Sequence, residues 1–274
     1  MLKTRVLTAA VFLALFLAAL LLLPQSGWMI FCALGLGVAA WEWGGLVRLA
    51  KAARCAWTAC LMAFFLVPGL VTVPGTSGRH APLWAYYAAA VFWVVLAPLW
   101  IWRRPHLAQP LVLVVGVAVL VPAFAALVDL RHDRPMLLLA VLATVWLSDT
   151  AAYFAGRRFG KRKLAPAISP GKTWEGVAGA LAAVTLYALA WAGLGSPASM
   201  PVAPDGTRSG ALWIVPVLLA LAVAGMIGDL FESLIKREAG VKDSGTLLPG
   251  HGGMLDRIDA LLAMLPLAVL AFTR

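Results

Sequence analysis

Apolar residues run along this chain in long blocks separated by short polar punctuation. Blocks of spanning length fall near 6–23, 28–47, 56–74, 83–102, 109–128, 136–156, 174–194, 211–235 and 254–273. A helix needs about 20 apolar residues to cross the hydrocarbon core of a bilayer. The runs are unbroken rather than alternating, which excludes the strands of a membrane barrel. The pattern therefore predicts about nine transmembrane helices. Glu42 interrupts the second, and the ninth is long enough only if it begins inside the polar stretch before it. Lys3 and Arg5 followed by an apolar run resemble a signal peptide, but the run is too long and Pro24-Gln25-Ser26-Gly27 is not a small-x-small cleavage site. We read it as the first span.

Composition strengthens this picture. Hydrophobic residues make up 62% of the 274 and charged residues only 12%, with a mean hydropathy of +0.91, where soluble domains carry roughly 25% charge. Such a chain belongs in lipid, where only helices or closed barrels satisfy their backbones. The fold class expected is all-α, a polytopic helical membrane protein. Residues 1–135 hold about five N-terminal spans. Residues 136–274 hold a region in which the chemistry concentrates, with cytoplasmic loops 157–173 and 236–253. Cys32, Cys55 and Cys60 lie in or beside apolar runs and suggest no disulfide framework.

Charge sets the orientation. With the N-terminus inside and nine spans, 17 of the 22 lysines and arginines fall on the inner side and five on the outer, as the positive-inside rule requires. The net charge of +10 is thus explained by topology and anionic headgroups, and nothing calls for nucleic acid. The outer loop 195–210 reads as a connector. Trp28, Trp41, Trp43, Trp84, Trp100, Trp102, Trp174 and Trp213 fall near span ends, where an interfacial belt is the plain reading.

Three polar features stand out. Asp149 lies inside the sixth span, about two turns from its inner end, with Tyr153 one turn on. A carboxylate at that depth is costly and is either functional or paired across helices. Next, Ser169-Pro170-Gly171-Lys172-Thr173 stands directly before the seventh span. Hydroxyls, a glycine and a lysine at a helix start suit a phosphate; Ser169 or Thr173 as a simple helix cap is the rival reading. The spacing is not that of a Walker A loop.

The third feature is GDLFESLIKREAGVKDSGTLLPGHGGMLDRID, residues 228–259. Half of the chain's twelve acids are here. Asp229, Glu232, Ser233 and Lys236 share one helix face. Asp256 and Asp259 lie in the first turn of the ninth span, where the helix dipole alone would favour acids. Bringing the two helix ends together would juxtapose Asp229 with Asp256. Two hard oxygen ligands plus phosphate oxygens are what Mg²⁺ prefers. Gly250, Gly252 and Gly253 would let backbone N–H groups approach an anion. His251 could hydrogen-bond a phosphate or serve only the turn. Glu42 could pair with a nearby arginine or mark a packing contact.

From Ser233 onward the chain resembles the signature of the phosphatidate cytidylyltransferase (CDP-diacylglycerol synthase) family. The residues that carry the likeness are Ser233, Lys236, Arg237, Lys242, Asp243, Gly245, Pro249, His251, Gly252, Gly253, Asp256, Arg257 and Asp259. Asp149-x-x-Ala152-Tyr153 and Ile168-Ser169-Pro170-x-Lys172-Thr173-Trp174-Glu175-Gly176 are similar to that family as well. The likeness covers about 145–260, and the first five spans match only in character.

The resemblance implies an integral membrane enzyme that joins CTP to phosphatidate, releasing pyrophosphate and requiring Mg²⁺. It implies that Asp229 and Asp256 hold the metal, with Asp259 or Asp149 assisting, and leaves open whether a monovalent cation shares the site. Lys236, Arg237, Lys242 and Arg257 would balance phosphate charge; Ser169, Lys172 and Thr173 would complete the nucleotide side. Asp243 and His251 are counted with the catalytic residues, and Ser233, Gly252, Gly253 and Tyr153 with those around the phosphates. A homodimer in a bacterial inner membrane, its site facing the cytoplasm, is the expected setting, since no transit peptide or added soluble domain is evident. Two other readings stay open: another nucleotide-dependent lipid-phosphate enzyme such as a polyprenol kinase, and a transporter with intramembrane acids. The polar cluster at the inner interface and the lack of an internal repeat speak against the transporter.

Overall fold

A computed structural model describes residues 2–70, 79–105, 108–194, 211–245 and 252–273. Among these residues the chain is helical apart from one short hairpin. The helices are α1 (Leu2–Leu22), α2 (Gln25–Leu46), α3 (Lys51–Leu70), α4 (Leu83–Val91), α5 (Ala97–Arg103), α6 (Gln109–Asp133), α7 (Pro135–Phe159), α8 (Trp174–Leu194), α9 (Ile214–Glu238) and α10 (Leu255–Phe272). A π-helical turn, Phe92–Leu96, joins α4 to α5 in one continuous segment. Pro98 follows it and has no N–H to return to the preceding turn, and the widened turn absorbs that loss. Counting that segment once, nine helical segments stand where nine were expected. Six of them, α2, the α4–α5 segment, α6, α7, α8 and α9, are long and apolar enough to cross a membrane. The expected connector 195–210 lies outside the described residues, as do Pro249, Gly250 and His251.

Buried polar contacts join the N-terminal helices to one another. Near the end of α6, the Arg131 guanidinium donates to the Leu20 carbonyl at 2.9 Å, to Gln25 Oε1 at 2.8 Å and to the Leu23 carbonyl. It thereby satisfies the otherwise unpaired carbonyls where α1 ends. Buried Asp129 accepts the Tyr86 hydroxyl and the His80 N–H, each at 2.5 Å, and so binds the start of α4 to α6. Trp28 and Trp43 are fully buried and donate their indole N–H groups to the Leu127 and Val112 carbonyls. They are core residues of the α2–α6 contact, not members of an interfacial belt. Trp100 is buried as well, whereas Trp84, Trp102 and Trp174 are exposed as a belt requires.

Small residues set the close approaches that matter for the site. Gly225 and Gly228 of α9 face Ala260 and Ala263 of α10. A Cβ at Gly228 would stand 2.5 Å from the Asp259 carbonyl oxygen, so no larger residue permits this crossing. Small residues at helix contacts are the usual device where lipid gives no hydrophobic drive to association. α7 and α8 meet in the same way, with Gly156 and Gly176 back to back. α10 also packs against α6 and α4, and Leu255 in its first turn is fully buried.

Candidate active site

The hairpin between α7 and α8 was expected as a loop. It contains two antiparallel strands, β1 (Lys163–Ala165) and β2 (Ser169–Thr173), with Lys163 opposite Thr173 and Ala165 opposite Ser169. The sequence hid β2 because Pro170 and Gly171 read as turn residues. Thr173 ends the strand and caps α8: its buried hydroxyl accepts the Gly176 N–H at 3.1 Å. The helix-cap reading of Thr173 is thus the one observed, although the residue also lines the cleft described next. On the far side, Arg237 donates to the Ile168 carbonyl at 3.3 Å and to the Val241 carbonyl at 3.2 Å. It pins the hairpin turn to the end of α9. That end closes in a Schellman motif, with Gly240 at φ 76° and Val241 N–H bonded to the Lys236 carbonyl.

A cleft of about 570 Å³ opens between α7, β2, α9 and α10. Asp149 and Tyr153 line it from α7, Ser169, Lys172 and Thr173 from β2, Asp229 from α9, and Asp256 and Asp259 from α10. The structure thus brings the three separate polar features of the sequence into one place. Lys172 Nζ meets Asp229 Oδ2 at 2.6 Å, and Ser233 donates weakly to Asp229 Oδ1 at 3.4 Å. Buried Lys236 pairs with Glu232 one turn back and with Asp256 Oδ1 at 2.6 Å, and so ties α9 to α10. Arg157 reaches the Tyr153 hydroxyl at 3.0 Å on the cleft rim.

Asp256 is the most heavily held of the acids. Its second oxygen accepts the Ser244 N–H at 2.9 Å, the Ser244 hydroxyl at 3.0 Å and the Gly253 N–H at 2.8 Å. The Gly253 amide is therefore spent on a carboxylate and is not free for a bound anion, contrary to the expectation from sequence. Gly252 adopts φ 82°, and a Cβ there would lie 2.6 Å from Asp256 Oδ2. Both glycines serve the turn that seats Asp256. Lys242, Asp243 and Arg257 are exposed and, with Ser233, Lys236 and Arg237, are not part of the cleft wall. His251 lies outside the described residues.

Two residues of the site were underread in sequence. Glu232 shares the face of Asp229 but was given no role; it is buried beside Lys236. Glu42, read as an arginine partner or a packing contact, does interact with Arg54 through charge and also reaches the start of α10. A charged residue inside an apolar span was the available signal for it.

The arrangement gathers five acids, Asp149, Asp229, Glu232, Asp256 and Asp259, around Lys172 and Lys236. That surplus of negative charge on helix ends suits a site that takes a cation and polyphosphate together. Residues 3–273 match the model of the cytidylyltransferase family. The chain belongs to the cytidylyltransferase family. It is 38% identical to the phosphatidate cytidylyltransferase of Pseudomonas aeruginosa, over 97% of this chain and 95% of that one. It is 39% identical to the enzyme of that name from Haemophilus influenzae, over 97% and 96%. The corresponding protein of Brucella melitensis is 50% identical over about half of each chain, 49% and 47%. The family membership spans the N-terminal helices as well as the signature, which the sequence motifs alone did not reach.

Proposed function

We infer that this chain is a phosphatidate cytidylyltransferase of phospholipid biosynthesis, which transfers CMP from CTP to phosphatidate and yields CDP-diacylglycerol and pyrophosphate. The observation that carries the reading is the nearly full-length likeness to two enzymes of that name. The cleft supports it by joining lysine, hydroxyls and carboxylates at the end of a membrane bundle.

The reaction asks little of a general base. The phosphate monoester of phosphatidate, with a second pKa of about 6, is largely dianionic at neutral pH. One of its oxygens attacks the α-phosphorus of CTP. The bond from that phosphorus to the bridging oxygen breaks, and pyrophosphate leaves with the electron pair. The barrier is anion meeting anion, so catalysis is placement and charge neutralisation. Lys172 stands where it can exchange Asp229 for a phosphate oxygen. Lys236 stays with Glu232 and Asp256 and holds the acids together.

Magnesium is the metal we propose. Among the described residues no three acidic or histidine side chains converge on one point. Mg²⁺ does not need that, since it is commonly held by one or two carboxylates with substrate phosphates and waters. Asp229 and Asp256, which both line the cleft, fit such a role and would hold it, with Asp259 assisting. The ion would supply charge neutralisation at the phosphate oxygens. A cytoplasm-facing cleft in the inner membrane and a homodimer belong to the same proposal, on the charge distribution and the family likeness respectively.

The test is release of pyrophosphate from CTP by the purified protein in detergent, with and without phosphatidate and Mg²⁺. Turnover that needs both supports the reading. Turnover with a polyprenol in place of phosphatidate would make this a related lipid kinase. A trapped nucleotidyl-enzyme would overturn direct transfer.

A further inference from the structure

We propose that Glu42, on the second span and outside the cleft, is a positioning residue that sets Asp256 for the reaction. α10 begins without a side-chain cap of its own; its N-cap residue is Met254, whose side chain has no oxygen to offer. Glu42 takes that place from another helix. Its Oε1 accepts the Met254 N–H at 2.8 Å and its Oε2 the Leu255 N–H at 2.9 Å. Ser244 Oγ lies 2.9 Å from the same Oε2. Ser244 and Gly253 in turn hold Asp256 Oδ2. Ser244 and the Gly253–Leu255 backbone thus lie between two carboxylates, one buried in the core and one facing the cleft.

Steric facts point the same way. A Cβ at Gly245 would lie 2.6 Å from Glu42 Oε1 and 2.9 Å from its Cδ, and its nearest neighbours are Glu42 atoms alone. A Cβ at Gly253 would overlap both the Glu42 carboxylate and the Ser244 hydroxyl. Two glycines of the signature are therefore explained by the approach of Glu42. The nearby guanidinium of Arg54 is attracted to Glu42 by charge, while its Nε donates to the Trp41 carbonyl at 2.5 Å and it stacks over the Trp41 ring at 4.0 Å. Glu42 is 3% exposed. A carboxylate buried in a span is retained for a reason, and here its partners are backbone N–H groups at the root of the catalytic turn. Misplacing a reacting group by about 1 Å can cost on the order of 100-fold in rate.

The inference rests on the cytidylyltransferase reading for its kinetic part; its structural part does not. The Glu42→Gln variant keeps the shape but turns an amide toward backbone donors. We expect it to purify as a folded protein, with kcat lower by roughly 10- to 100-fold and KM for phosphatidate within about twofold. In metal-free protein, amide hydrogen exchange at 253–256 should accelerate while that of α7 and α8 stays unchanged. Gly245→Ala should reproduce the loss in the wild type and add nothing to Glu42→Ala, which removes the atoms it strikes. Should Glu42→Gln fail to fold, Ser244→Ala carries the test, because it leaves the two bonds between Glu42 and α10 and the Ser244 N–H bond to Asp256, and removes only the hydroxyl that lies between the two carboxylates; lowered kcat is again expected. A folded Glu42→Gln or Ser244→Ala protein with kcat within twofold of wild type overturns the proposal. So does activity that falls only in step with the folded fraction, or unaltered exchange at 253–256. If wild-type protein shows no turnover of CTP with phosphatidate, the functional reading fails, and the exchange result still decides the role of Glu42.

Discussion

Lys172 and Asp229 meet at 2.6 Å although one lies next to the last residue of a strand and the other on the cleft side of a helix. Both side chains remain partly exposed to the cleft, at 23% and 33%. The pair is therefore accessible to a ligand, unlike the buried pair that Lys236 makes. On the proposed reading, Asp229 would help hold a metal and Lys172 would then be available to a phosphate oxygen. Lys172→Met should raise KM for CTP by about tenfold or more, from the loss of one charge-assisted contact. Asp229→Asn should leave CTP binding closer to normal and lower kcat by at least about 100-fold. Pyrophosphate release measured across CTP and Mg²⁺ concentrations separates the two.

Lys236 is a different case. It is buried between Glu232 and Asp256. Lys236→Met leaves two acids facing each other without a counter-charge, and breaking such a pair costs about 3–5 kcal/mol. The variant should lose thermal stability by an amount visible in detergent. Adding Glu232→Gln should recover part of that stability and none of the turnover.

Thr173 tests a sequence ambiguity directly. If its work is the cap seen at Gly176, Thr173→Ser should be nearly silent and Thr173→Ala should cost about 1 kcal/mol of stability. Turnover per folded molecule should then fall less than threefold. A larger loss of kcat in a stable Thr173→Ala protein would assign the hydroxyl to the phosphates instead.

The helix crossing predicts its own sensitivity. Gly228→Ala drives a methyl into the Asp259 carbonyl oxygen, and overpacking of this kind costs about 1–3 kcal/mol. Because α9 and α10 carry Asp229, Asp256 and Asp259, activity should fall further than stability does. Gly193→Ala, with nothing within 4 Å of the added carbon, is the matched control and should change neither.

The spans were legible because lipid demands unbroken apolar length, and that demand is written locally. Their ends were less so: α3 begins at Lys51 and α9 runs on to Glu238, since charged residues at a span end can stay helical while reaching water. Asp229 and Glu232 were legible as a pair because helical spacing puts them on one face of α9, and Asp256 and Asp259 likewise in α10. What the sequence concealed depended on distant partners. Glu42 bonds to a backbone amide 212 residues later, and no local pattern announces that. Trp28 and Trp43 misled for the same reason: an indole near a span end looks interfacial until a carbonyl on another helix claims its N–H. β2 was hidden by the proline and glycine within it.

Phe231 lies between Asp229 and Glu232 in the sequence and is met edge-on by Phe92, Trp93 and Trp100 at ring separations of 5.3, 5.6 and 5.2 Å. One residue of an α-helix is about 100° of rotation. The aromatic collar therefore works as an angular stop for α9. With Phe231 seated, Asp229 can face only the cleft; turned by a single step, the carboxylates would swing toward packed rings or lipid. The π-turn that presents Phe92 and Trp93 is in this sense part of how the charge in the cleft is aimed.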